Sequence, residues 1–332
     1  MKMLNSEENI KSAKKISIII PCYNCETTID YCLNAILAQT IGIYNLEIIL
    51  VNDASTDNTL SKLYEYEKLY PDTFLVINCI ENGRQGTARN IGLSYATGEY
   101  VAYVDDDDVM ERNMYELLYQ AGKQTDAEVI VSINKSVSEI PRVDDIIQND
   151  ILLIKGTLEI QTTETRKTFL VDPSINNAVW NKLYQRQFLI NYNIHFAEHV
   201  IYEDILFTML IKTYVSKLCI LDNALYYHVV TNASSSINES FNEQRIFNYL
   251  AVHAEVVEEL KRRDKYITYR YELFDWYIKA YLSCAVWYVQ SYKEMNPEYL
   301  DIMDSSVEQL FPGMVDIEGL HGLLVEVIEK HL

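Results

Sequence analysis

The stretch Tyr100–Asp108, YVAYVDDDD, decides how this chain folds. Its first five residues are apolar or aromatic without alternation, as in a strand buried on both faces. Such a strand needs helices above and below it, and the chain upstream supplies them. Lys15 to Pro21 (KISIIIP), Leu46 to Val51 and Phe74 to Ile80 are three more strand-like runs. Between them, Thr28 to Thr40 carries Ile29, Cys32, Leu33, Ile36 and Leu37 at helical spacing. Thr59 to Leu69 follows a cap at Thr56 or Asp57, and Gly86 to Ala96 reads as a helix closed by Gly98. The order β-α-β-α-β-α-β predicts right-handed crossovers and a parallel sheet with helices on both faces.

The 332 residues suffice for two domains, or for one large α/β domain with an appendage. With 49% hydrophobic and 23% charged residues, 10 Gly and 6 Pro, fibrous and disordered classes fall away. A net charge of −20 without a basic cluster repels polyanions, so nucleic acid is not an expected partner. A small anionic ligand needs local help from Arg, backbone N–H groups or a divalent cation. Six cysteines and an N-terminus without an apolar core predict a reduced, cytoplasmic setting. Trp276 to Val289, interrupted by Lys279, is too short to span a bilayer, so no transmembrane segment is expected.

Beyond Val131, Ser132 to Asp150 is polar and irregular, and Val179 to Leu189 (VWNKLYQRQFL) and Tyr202 to Tyr214 (YEDILFTMLIKTY) are both helical in period. From Ser240 the chain reads as successive amphipathic helices, broken near Asn296–Pro297 and Phe311 to Gly313. Their aromatic stripes, including Tyr277, Tyr281 and Trp287, are most simply helix core. A homodimer interface or an acceptor platform is the alternative.

Open α/β sheets bind ligands outside the carboxyl ends of their strands, and polar residues gather there. Tyr23 and Asn24 follow the first strand, Asn52 and Asp53 the second, Glu81 and Asn82 the third, and Asp105 to Asp108 the fourth. The tetrad reads either as a solvated turn or as a site for Mg²⁺ or Mn²⁺, and its place after an apolar strand favours metal. Asp53 is either a turn residue or an acceptor for the imide N–H of a pyrimidine. Arg89 is either a helix surface charge or, near glycines at a helix start, a partner for a diphosphate.

Two other motifs compete for attention. His195-Phe-Ala-Glu-His199 matches the H-x-x-E-H pattern of inverted zinc peptidases, but its flanks Asn191, Asn193 and Ile194 are poor helix formers. Cys22-x-x-Cys25 has neither a Gly-Pro context nor a second C-x-x-C for zinc, so Cys22 reads as a small filler at the strand end.

In order, IIPCYN, ILVNDASTDNT, ENGRQGTARNIGL and GEYVAYVDDDD resemble the signature blocks of the GT-A nucleotide-sugar glycosyltransferases of family 2. WNKLYQRQFL, IYEDILF and LYYHVVTNASSS resemble the acceptor-side blocks of its bacterial members, and the likeness covers about Lys15 to Ser236. It implies a GT-A fold, Rossmann-like and mostly parallel, with a helical C-terminal region outside the likeness. Residues 1–14 would be a polar leader, 15–131 a nucleotide-sugar-binding half, 132–239 an acceptor-binding half and 240–332 the helical region. Pro21, Tyr23, Asn24 and Asp53 would hold the nucleotide, and Arg89 would approach the diphosphate. Asp105 or Asp106 would face the ribose or sugar, and Asp107 would bind Mn²⁺ or Mg²⁺ with His228 as a further ligand. In IYED, Asp204 would be the general base and Glu203 would orient the acceptor or the helix start.

The expected reaction moves sugar from UDP to an acceptor hydroxyl by single displacement with inversion. A cation offsets charge on the departing diphosphate, and a carboxylate takes the hydroxyl proton. The acceptor would be a glycan, or lipid- or protein-linked, in surface polysaccharide or glycoprotein glycan synthesis, at the inner face of the cell membrane. The alternative is a catalytically silent GT-A module that binds a nucleotide or glycan. The complete set of carboxylates speaks against it.

Overall fold

The computed structural model describes residues 14–141, 151–173, 175–230 and 242–331. Most of the polar leader, and residues 231–236 of the last sequence block, lie outside them. Strands β1 (Ile16–Cys22), β2 (Leu46–Asn52), β3 (Phe74–Asn78) and β4 (Tyr100–Tyr103) alternate with helices α1 (Ile29–Leu37), α2 (Thr59–Leu69) and α3 (Arg84–Tyr95). The pairings of β1 with β2 and β4, and of β2 with β3, are all parallel. Asp57 Oδ1 accepts from Thr59 N–H at 2.9 Å where α2 begins. Gly98 works differently from its expected role, since α3 ends on Ala96 in extended backbone. The Gly98 N–H donates to Ser17 Oγ at 2.8 Å, and a Cβ there would meet Ser17 N at 2.6 Å. The glycine lets the loop press on β1.

The chain continues through β5 (Val109–Met110), α4 (Met114–Thr125), β6 (Val129–Val137), β7 (Ile154–Glu159), α5 (Thr163–Val171), β8 (Lys182–Gln185), α6 (Arg186–Asn191), α7 (Asp204–Tyr214) and β9 (Lys217–Val229). These strands extend the same sheet to the order β3-β2-β1-β4-β8-β6-β9-β5, with β7 on β9. β8 is antiparallel to both β4 and β6, so β6 runs with β4, and β9 lies parallel to β6. The carboxyl ends of β1, β2, β4 and β9 therefore share one edge. Val179 to Leu189 is not one helix: Lys182–Gln185 is a strand and only Arg186–Asn191 is helical. β4 and β6 each need a partner, and that demand overrides the helical period. The period-two alternation is there too, with Leu183 in one core and Tyr184 in the other.

The same alternation splits β1. Ile16, Ile18 and Ile20 pack with Leu33, Ile36 and Leu118 on one face, and Ile19 packs with Ala88 and Phe207 on the other. Full burial of such a side chain stabilises by about 1.5–3 kcal/mol. The second face also receives α8 (Glu243–Arg262), α9 (Tyr266–Tyr292), α10 (Pro297–Leu310) and α11 (Ile317–His331), which share its core through Val256, Tyr277 and Phe311. Tyr277 and Tyr281 are fully buried, with hydroxyls 2.6 Å from Ser306 Oγ and Asp304 Oδ1. The aromatic stripe is core. Among the described residues, no helix is long and apolar enough to cross a membrane.

Candidate active site

β1 ends at Cys22, and the chain turns through Asn24 in the left-handed region (φ 51°). Asn24 Oδ1 accepts from Thr56 N–H at 2.8 Å, and Asn24 N–H donates to Ser55 Oγ at 3.0 Å. The loops after β1 and β2 are thus tied together, with Tyr23 half exposed between them and Pro21 buried inside β1. After β2, Asp53 is buried and its Oδ1 accepts from Gly83 N–H at 2.7 Å, ahead of α3. Its Oδ2 remains as an acceptor.

The four adjacent aspartates after β4 have four different surroundings. Asp105 Oδ1 takes Arg89 Nη2 at 2.7 Å. Asp106 Oδ2 accepts from Tyr23 N–H at 3.2 Å, and burial beside the Cys25 thiol pushes its carboxyl up. Asp107 is pushed up to about 7 by burial and by the charges of Asp108 and Asp105. Asp108 is fully buried and accepts from Tyr226 Oη at 2.8 Å and Val229 N–H at 2.7 Å, with His228 Nδ1 at 3.2 Å. His228 is held above the usual imidazole range, chiefly by that contact. Since Nδ1 is engaged with Asp108, Nε2 is the ring's remaining ligand atom. Trp180 stacks on Tyr226 and His228, with centroids 4.5 and 5.2 Å away.

Arg89 is buried in α3, and the structure gives it partners other than an open diphosphate pocket. Nη1 binds Glu203 and Nη2 binds Asp105, over the Phe196 ring at 5.3 Å. Burial opposes its charge, yet the two carboxylates hold its proton more tightly than in an ordinary guanidinium. Gly86 makes this approach possible, because a Cβ there would run into the Ala197 carbonyl and lie 2.8 Å from Glu203 Cβ. Asp204 opens α7 and is pushed up to about 7 by burial and by the Glu203 charge. Tyr202, just before the pair, is left-handed (φ 68°); its hydroxyl accepts from Arg245 Nε at 3.0 Å, and its ring meets Tyr249 edge-on.

Among the described residues, no other side chain donates a hydrogen bond to Asp107 or Asp204. One carboxylate suited to a hard cation and one suited to a base thus stand at the same edge, linked through Asp105, Arg89 and Glu203. A model of the family described as "Glycosyl transferase family 2" matches residues 17–192. The chain belongs to that family.

This family 2 glycosyltransferase is 30% identical over 268 residues to the uncharacterized glycosyltransferase YibD of Escherichia coli, covering 78% of this chain and 75% of YibD. It is 29% identical over 329 residues to a cholesterol galactosyltransferase of Borreliella burgdorferi, covering 94% and 86%. Among solved structures, residues 1–349 of S. aureus TarS superpose with a TM-score of 0.66 at 23% identity, covering 96% of this chain and 88% of that fragment. TarS has also been solved with UDP and with UDP-GlcNAc. The likeness shows a shared GT-A fold.

His195–His199 of this glycosyltransferase is an irregular segment with His199 at φ 61°, not the helix a zinc peptidase needs. The sequence reading missed Asp108 as the anchor of His228, and missed Trp180 and Tyr226 beside it. A signal was present, because Tyr226 and His228 are two apart in a strand and so face the same way. Lys182 was missed as well. Its buried Nζ binds the Ala178 carbonyl and lies 3.0 Å from the side-chain oxygens of Asn176 and Asn181, securing the segment that carries Trp180. Burial lowers its ammonium to about 7.

Proposed function

We propose that this enzyme is an inverting glycosyltransferase that moves a hexosyl or N-acetylhexosaminyl group from a UDP-sugar to an acceptor hydroxyl. The observation that carries it is the Asp105–Arg89–Glu203 bridge, which fixes the candidate base Asp204 relative to Asp107. Tyr23 borders the base, and Asp53 Oδ2 accepts the uracil imide N–H. Asp105 and Asp106 face the ribose and sugar. Arg89 acts on the donor only through Asp105, as a tie rather than a direct diphosphate contact.

Asp204 takes the proton of the attacking hydroxyl, a task suited to a carboxylate held near neutral pH. Glu203, held by Arg89, sets where α7 starts and so where Asp204 stands. Attack from the side opposite the departing diphosphate gives inversion. Mn²⁺ or Mg²⁺ fits Asp107 and His228, an oxygen and an imidazole donor free of other ligand duties, with further positions left to phosphate and water. When bound, it would act as a Lewis acid toward the leaving diphosphate. TarS with UDP-GlcNAc and the named galactosyltransferase support the donor class. The acceptor on this reading is a glycan, lipid-linked or protein-linked hydroxyl in surface glycan synthesis at the cytoplasmic face of the membrane, and the sterol in the Borreliella relative's name is one lipid hydroxyl of that kind. A panel of nucleotide sugars, assayed for transfer and hydrolysis with Mn²⁺ and again with EDTA, tests the reading. Turnover of UDP-sugars only with the metal is expected, and equal UDP affinity in EDTA would remove Asp107 from its role.

A further inference from the structure

We propose that Cys22, Cys25 and Asp106 form a second cation site, for a thiophilic divalent ion such as Zn²⁺ or Cd²⁺, separate from Asp107 and His228. In sequence, Cys22-x-x-Cys25 lacks partners for a metal. The fold supplies one. Among the described residues, these form the one group of three His, Cys, Asp or Glu side chains whose ligand atoms all lie within 4.8 Å of one another. The left-handed turn at Asn24 folds the chain back, and Cys25 N–H is fixed on Thr59 Oγ1 at 2.8 Å. Both thiols are buried, and Asp106 is held beside them by the Tyr23 N–H.

Zinc–sulfur bonds of about 2.3 Å set tetrahedral sulfurs about 3.8 Å apart, so the group needs to close by at most about an ångström. Two thiolates and one carboxylate leave a fourth position for water. As the two metal–sulfur bonds form, the two thiol protons pass to solvent and no oxidant is involved. Ligand softness separates the two sites. Thiolates select Zn²⁺ or Cd²⁺, whereas the oxygen and imidazole donors at Asp107 and His228 suit Mn²⁺ or Mg²⁺. An ion here holds Asp106 with the two thiols and away from the ribose and sugar it faces on the donor reading given above, so on that reading the ion weakens UDP binding.

The test titrates the metal-free full chain with Cd²⁺ and Co²⁺, read by thiolate-to-metal charge-transfer absorption, and with Zn²⁺ by calorimetry. One ion per chain with a thiolate band is expected. Cys22→Ser and Cys25→Ser should each cut the band to half or less and weaken binding beyond the ~10–100-fold typical of losing an outer-shell partner. Asp107→Asn and Cys284→Ser should keep both. In the unaltered chain, Zn²⁺ should protect Cys22 and Cys25 from alkylation, a readout that does not depend on the variants folding. Absence of the band, its undiminished survival in both serine variants, or unprotected thiols would overturn the site. A band with unchanged UDP affinity would uphold the site and overturn its link to the nucleotide. Failure of the UDP-sugar reading would leave the thiolate band as expected.

Discussion

The parallel half of the sheet, β1 to β4, and the mixed half, β6, β8 and β9, hold their polar groups by different means. In the first, each strand-end loop bonds to the next: Asn24 to Thr56, Cys25 to Thr59, Asn52 to Asn78, Asp53 to Gly83. Several short contacts share the task. In the second, single long-range contacts carry it: Glu203 on Arg89, His228 on Asp108, Trp180 on His228. Placement by many weak ties tolerates the loss of one, whereas placement by a single buried pair does not.

The sharpest test of that contrast is Asp204→Asn, which keeps size and removes the proposed base. Transfer should fall about 10²–10⁴-fold while UDP-sugar affinity stays near the parent value. Glu203→Gln should cost less, and a dead Glu203→Gln beside an active Asp204→Asn would exchange their roles. With Asp204 up to about 7, the inactive protonated form dominates below that pH. With Mn²⁺ saturating, so that bound metal keeps Asp107 ionised, transfer kcat/KM should therefore rise about tenfold per pH unit up to about 7 and then level off. That raised carboxyl also means ionised Asp204 opposes folding at neutral pH, so Asp204→Asn should melt higher, by about 1–2 °C per kcal/mol recovered.

Arg89→Met leaves Glu203 and Asp105 as buried carboxylates without their cation, and should cost about 3–5 kcal/mol in denaturant unfolding. Near-parental stability would mean the two halves are not joined there. Asp53→Ala should weaken UDP binding by about 1.5–3 kcal/mol in calorimetry and leave the fold intact, since the other loop ties remain. Unaltered UDP affinity would reduce Asp53 to a turn residue. The smallest effect belongs to Trp180→Leu, whose lost stacking is worth about 0.5–1.5 kcal/mol. Mn²⁺ affinity, followed by electron paramagnetic resonance, should drop about 2–10-fold, and no change would show that His228 holds its pose without the ring.

The same contrast explains what could be read in advance. β1 to β4 and their helices were legible to within a few residues because each unit is local and its buried run needs only its own crossover. Lys182–Gln185 was not, because its partners come from far along the chain, and KLYQRQFL satisfies a helical period as well as a strand's. The chemistry-bearing residue types could be named from sequence, but not their partners. Four identical aspartates in a row carry no sign of which meets Arg89, which meets His228 and which takes no side-chain donor among the described residues. Arg89 read as a diphosphate ligand for the same reason, since nothing in GRQGTARN points to Glu203.

The Arg245–Tyr202 contact gives the helical C-terminus a place in the lineage as well as in the fold. α8, like Tyr202 and the acidic pair, lies beyond the span matched by the family model, and it grips the residue immediately before that pair in a backbone conformation that non-glycine residues avoid. Inheritance can therefore work on two registers at once. Changes in the C-terminal helices re-aim Glu203 and Asp204 without touching the loops around Tyr23 and Asp53. On the proposed roles of Asp204 as base and Asp53 at the nucleotide, such changes would alter the acceptor side while the donor side stays fixed.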